Sequence, residues 1–181
     1  AGQDASSAPQ TTETSADAAQ TAAAPASDVR LSLGTSSLGG NFFTMGAAMA
    51  AVFMDDYGYS VTAQATNGSG SNIVSVLDKE LDLGMAQANS IASAAEGTGQ
   101  FAGNQIAPDS GVCTLFNWNS TPVHILVRRA LGVDNIEDLA ALSGLKVECM
   151  NPGDGFEDMA KKFTETFSFN NPSFEYSGSR V

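Results

Sequence analysis

The chain has 181 residues and 43% hydrophobic side chains, room for one domain or two small ones. Twenty acidic residues against eight basic ones give a net charge of −12, which weighs against nucleic acid or an anionic membrane surface as the main partner. No apolar run approaches the length of a membrane span.

Residues 1–28 are almost all Ala, Ser, Thr, Gln, Asp and Pro, with no aromatic residue and no Lys or Arg. Such a segment buries too little apolar surface to offset its ordering entropy, and it is read as a disordered low-complexity tether. From Val29 onward, stretches of period 2 alternate with stretches of period 3.6. "VRLSLG" alternates Val29, Leu31 and Leu33 and predicts a strand. Phe42, Met45, Met49, Val52 and Phe53 recur at helical spacing and predict a core-facing helix through Asp56. "YSVTAQAT" reads as a second strand, and Ile73, Val76 and Leu77 give the next helix an apolar stripe. "ELDLGMAQ" reads as a third strand and "ANSIASAAEG" as a further helix. This β-α-β-α-β-α order implies a parallel sheet covered by helices.

"GVCTLFNWNS" and "PVHILVRRA" predict two strands separated by a turn near Thr121-Pro122. A small helix, "NIEDLAAL", follows, with Asp134 or Asn135 as its cap. "GLKVECMN" reads as a strand, "GFEDMAKKFTETFSF" as a helix and "SFEYSG" as a last strand. Cys113 and Cys149 have neither metal spacing nor a CxxC pattern. Both sit in apolar runs and read as buried thiols, with a disulfide between them as the alternative. His124 is the single histidine, so neither a transition-metal site nor a His-based triad is expected, and no GxSxG elbow is present. The acid pairs Asp55-Asp56 and Glu157-Asp158 sit on predicted helices and read as solvated, and Arg128-Arg129 as a solvated strand end.

Three turns share one design, a strand end followed by Gly with Ser, Thr or Asn and then a helix: "GTSSLGGN" (34–41), "TNGSGSN" (66–72) and "NPGDG" (151–155). Carboxyl ends of parallel strands face one crevice, so these turns are expected to converge there. The free N–H groups and positive dipole end of each helix favour a carboxylate or phosphate without help from Lys or Arg. "AQANS" (86–90) would bring Gln87 and Asn89 to the same crevice. Each turn taken alone is also ordinary capping chemistry.

In order and spacing these stretches resemble the TAXI family of solute-binding proteins, the extracytoplasmic receptors of one branch of TRAP transporters. The family opens on a strand running into GT-x-x-x-G-x-(Y/F)-(Y/F)-x-x-G, matched by Gly34-Thr35, Gly40, Phe42-Phe43 and Gly46. A T-x-G-S-x-x-N-I turn is matched by Thr66, Gly68, Ser69, Asn72 and Ile73. "KELDLGMAQAN" (79–89), "AAEGTGQF" (94–101) and "MNPGDG" (150–155) match three further landmarks. The resemblance implies an α/β, type II periplasmic-binding-protein-like fold: two open lobes with mostly parallel sheets, the second incomplete. The lobes would span 29–121 and, with the crossover, 122–181.

By the same resemblance the chain would be a monomeric, non-enzymatic receptor needing no cofactor and no metal. It would capture a small organic acid or glutamate-like amino acid between its lobes and deliver it to a TRAP-type membrane permease. Its place would be extracytoplasmic, held by a lipidated Cys that the sequence does not include. A ligand-sensing module on the same fold is the alternative, and an enzyme on a related scaffold a third reading. The implied ligand-binding residues are Gly34, Thr35, Ser36, Gly40, Asn41, Phe42, Gly68, Ser69, Asn72, Gln87, Asn89, Asn151, Gly153, Asp154 and Gly155. Three departures stand out: Phe42 and Phe43 where Tyr is frequent, Asp154 where the family has Ser or Thr, and Asn89 in place of an acid. They leave a neutral, zwitterionic or amide-bearing ligand open beside a dicarboxylate. Family members also carry more chain after the equivalent of Val181, so a truncated lobe and weak binding of organic acids are expected.

Overall fold

The computed structural model describes residues 28–120 and 122–177. The tether over 1–27 and the turn residue Thr121 lie outside the described residues.

Strand β1 (Arg30–Gly34) runs into helix α1 (Asn41–Tyr57), and β2 (Ser60–Gln64) into α2 (Ser69–Leu77). The two-residue strand β3 (Leu83–Gly84) leads into α3 (Ala88–Glu96). These strands form one parallel sheet in the order β2-β1-β3, with Leu31 opposite Val61 and Leu33 opposite Leu83. After α4 (Ile136–Ala141), the strand β4 (Lys146–Cys149), helix α5 (Gly155–Thr166) and strand β5 (Ser173–Tyr176) make a second parallel pair. Each crossover between paired strands passes through a helix, as parallel pairing requires. The result is the mixed α/β architecture expected from the alternating periods.

Caps set the helix ends. Gly58 takes a left-handed conformation at φ 70°, and its N–H donates to Met54 O while Tyr59 N donates to Phe53 O, closing α1. Asn135 caps α4 by accepting a hydrogen bond from Asp138 N at 2.8 Å.

The core under the first sheet gathers Leu33, Met49, Leu81, Ala94 and Phe101, and the second unit buries Leu139, Ala140 and Cys149. The stripe expected to face the core along α1 is only partly covered. Met49 is buried, Phe42, Met45 and Phe53 are half-buried, and Val52 is exposed. Three strands make too narrow a floor for a 17-residue helix, and α1 packs tightly on the sheet at Gly46. A Cβ there would stand 2.5 Å from Thr35 Cγ2. In an open helix, Gly→Ala gains up to about 1 kcal/mol. Here Gly46→Ala is expected to reverse that sign and lower stability by about 1–3 kcal/mol through overpacking, read as a lower urea midpoint.

The structure corrects two further expectations. The stretches read as two strands, 111–120 and 122–130, form no strand and pair with none among the described residues, and Arg129–Leu131 is a short 3-10 turn. Leu115, Phe116, Trp118, Ile125 and Leu126 stand exposed, Leu126 by 94%. Their period-two pattern favours extended backbone, but a strand also needs a neighbour to take its N–H and C=O groups. Because it lies in this uncovered stretch, Cys113 is exposed and not buried, and Cys149 alone is buried; both are free thiols.

Candidate functional site

All the helix-entry turns after strands lie at strand carboxyl ends, and they are tied together by buried polar side chains. Asn72, with no exposed surface, donates from Nδ2 to Thr35 O and to Met85 O, both at 2.7 Å. One amide thereby binds the ends of β1 and β3 to α2. Thr35, equally buried, donates from Oγ1 to Gln64 O at 2.6 Å and fastens β1 to β2. Thr66 N donates to Ser36 O, so the first and second turns lie side by side. Ser69 accepts from Gln87 N at 3.0 Å and joins the second turn to the third. Gly34 is close-packed beneath them, where a Cβ would meet Leu81 and Asn72 Oδ1.

The fourth turn, from the second sheet, docks directly on this array. Gly70 N donates to Gly153 O at 3.0 Å. Asn89 Nδ2 donates to Gly155 O at 3.1 Å and to Asp158 Oδ2 at 3.2 Å. Ser93 Oγ donates to the same Asp158 oxygen at 3.0 Å, and Lys162 Nζ lies 3.7 Å from it. Gly155 is packed so closely that a Cβ would stand 2.7 Å from Gln87 Oε1 and 2.8 Å from Ser69 Oγ. Gly68, at φ 103°, has its Cβ direction filled by the Asp154 carboxyl group, 3.1 Å away.

The residues expected to bind a ligand therefore fall into separate groups. Gly68, Ser69, Gln87, Asn89, Gly153, Asp154 and Gly155 meet at one seam between the two sheets' turns. Gly34, Thr35 and Asn72 sit behind that seam as ties in the scaffold, with their hydrogen-bonding groups turned inward. Ser36 borders the second turn, and Asn151 closes the fourth by accepting from Asp154 N. Gly40, Asn41 and Phe42, at the start of α1, make none of the hydrogen bonds across the seam among the described residues.

Sequence reasoning missed several members. Glu157 and Asp158, read as solvated, are 8% and 3% exposed. Their first-turn position on α5 points them into the seam, which an isolated-helix reading does not contain. The signal was the Glu-Asp-x-x-Lys-Lys spacing, which pairs Glu157 with Lys161 and Asp158 with Lys162 four residues on. Glu157 also holds the fourth turn: Oε2 accepts from Gly153 N at 2.6 Å, and Oε1 accepts from Tyr176 OH at 2.6 Å and from Lys161 Nζ at 2.5 Å.

These partners set the titration of the seam. Burial pushes the Glu157 carboxyl up, but hydrogen bonds from Lys161, Tyr176 and Gly153 N outweigh it and hold it below its ordinary value. The same bond raises the Tyr176 phenol to about 12. Burial raises the Asp154 carboxyl, against the hydrogen bonds it accepts from Phe156 N and Gly155 N. No group of three or more His, Cys, Asp or Glu suited to a metal occurs among the described residues. No described helix is long and apolar enough to cross a membrane.

A comparison with the curated proteins finds no match. The profile of the NMT1-like family, by contrast, matches residues 33–179, from the end of β1 to beyond β5. That match takes in every turn of the seam. The family falls in the periplasmic-binding-protein type II-like group, whose extracytoplasmic members bind small solutes, and the parallel strands and strand-end turns agree with it. The chain thus belongs to the NMT1-like family of solute-binding modules.

Proposed function

We propose that this chain is the receptor of a TRAP-type transporter of the TAXI branch. In this reading it captures a small organic acid or amino acid at the seam and presents it to a membrane permease, with no chemistry on the solute. The observation that carries the reading is the meeting of strand-end turns from two separate parallel sheets, sealed by the bond from Gly70 N to Gly153 O. Helix N-termini at such turns are suited to polar ligands, and contacts between two units can be made and broken by hinge motion.

Transport gives the test. Cells expressing a TRAP-type permease of the TAXI branch are expected to accumulate labelled amino acid only when the protein is also supplied. Saturable binding of one solute by calorimetry should accompany that uptake. Uptake that proceeds equally without the protein would remove the receptor reading.

A further inference from the structure

We propose that the contact between α3 and α5 is a latch: Asn89, Ser93, Asp158 and Lys162 hold the seam shut, and a solute enters only when they part. The latch stands on its own geometry, whereas the entry of a solute through it rests on the receptor reading.

The four side chains make one run of hydrogen bonds between the two units. Lys162 Nζ on α5 donates to Ser93 Oγ on α3 at 2.8 Å, and Ser93 Oγ donates back to Asp158 Oδ2 on α5 at 3.0 Å. Asn89 Nδ2, one turn earlier on α3, donates to the same Asp158 oxygen at 3.2 Å and to Gly155 O at 3.1 Å. Among the described residues, both hydrogen bonds to the Asp158 carboxylate come from α3, so this side chain serves the joint and not the helix that carries it. Ser93 has no exposed surface and Asp158 is 3% exposed, so water does not compete for the bond between them. Lys162 is 42% exposed and screened, which leaves Ser93, Asn89 and Asp158 to carry the contact.

The shut joint leaves no space beside these groups. Two glycines have their Cβ directions filled from the opposite unit: Gly155 by Gln87 and Ser69, and Gly99 by Asp158. A joint that excludes one added methyl group also excludes the polar head of a solute, so binding there requires the turns to separate. Separation costs the hydrogen bonds between α3 and α5. The affinity of the seam is then lowered by the fraction of molecules that stand open.

One amide reads the state of the joint. Gly70 N–H lies in the first turn of α2, where no intrahelical acceptor exists, and its acceptor is Gly153 O across the seam. Its protection from solvent exchange therefore measures how completely the seam is shut. Thr35 N and Ser173 N donate to Gln64 O and Leu145 O, each within a single unit, and read unfolding of those units instead.

The test is amide exchange followed by NMR on the whole chain, with no solute added, for the wild type, Ser93→Ala and Asp158→Ala. Ser93→Ala removes one donor and one acceptor from the contact while favouring the helix that carries it. Asp158→Ala removes the acceptor shared by Asn89 and Ser93. In the wild type, Gly70 N–H is expected to exchange at least about a hundredfold more slowly than in an unstructured chain. Each variant is expected to speed it at least about tenfold, while Thr35 and Ser173 change by less than about twofold. An unprotected Gly70 in the wild type, or unchanged protection in either variant, overturns the latch. Equal acceleration at all three amides also overturns it, because the contact would then stabilise the whole fold and not the joint. The receptor reading falls separately, on solute uptake and binding.

Discussion

Asn72→Ala is expected to lower stability by about 2–4 kcal/mol, because it removes two buried hydrogen bonds and leaves Thr35 O and Met85 O without a donor. Each orphaned carbonyl costs about 1–3 kcal/mol when water cannot reach it. With a typical urea dependence of about 1–3 kcal/mol per molar, the midpoint should fall by about 1 M or more. Asn72→Asp keeps the shape but turns acceptor oxygens toward two carbonyl oxygens, and it should be no better tolerated than alanine. A midpoint within about 0.2 M of wild type for both variants would show that the amide is not the tie between β1, β3 and α2.

Glu157→Ala is expected to cost about 2–3 kcal/mol, mainly the lost charge-assisted hydrogen bonds from Gly153 N and Tyr176 OH, because Lys161 is 43% exposed and its ion pair is screened by water. It strands the N–H of Gly153, returns the Nζ of Lys161 to water and frees Tyr176 OH, so the fourth turn loses its anchor on α5 and β5. The pH dependence gives a second readout. The folded-state value of Glu157 is depressed, so its contribution is present above its unfolded value and lost as pH falls through the folded one. Asp154 has the opposite sign: its value is raised, so its contribution is full below the unfolded value and lost as pH rises through the folded one. In the wild type the two slopes oppose each other across the carboxylate range. Removing Glu157 takes away one cause of the raised Asp154 value and leaves the part due to burial, with stability declining as pH rises above the ordinary Asp value. Urea unfolding at several pH values checks this, and a steeper acid-side loss in Glu157→Ala would contradict it.

Most elements were legible because each carried its own period. The alternation of Leu31 and Leu33 marked β1, and the Gly-Ser-rich segments after β1 and β2 marked the helix entries. The convergence of those entries followed from the rule that parallel strands end on one side. Pairing was not legible. Residues 112–128 carry a strand's alternation, yet hydrogen-bond partners are a property of the whole sheet and leave no trace in a local window. The seam failed to appear for the same reason. Glu157 and Asp158 look like solvent-facing helix acids until α3 lies against them, and only then does Ser93 become a donor to Asp158. Asn72 and Ser69 were picked out as ligand contacts because amides and hydroxyls near a turn suit both roles. The structure turns the Asn72 amide inward and leaves the seam to Gln87, Asn89 and the acids of α5.

The bond from Gly70 N to Gly153 O joins main chain to main chain, at positions whose residues contribute no side chain. Its geometry is therefore indifferent to what is substituted around it, so long as the two glycine turns keep their shape. The side-chain groups of the seam, such as Asp154, can be replaced one at a time, whereas contact between the two sheets' turns resides in the peptide backbone. Exchanging one carboxyl for a hydroxyl would change the charge of the seam without redesigning the joint, a separation of side-chain chemistry from backbone docking.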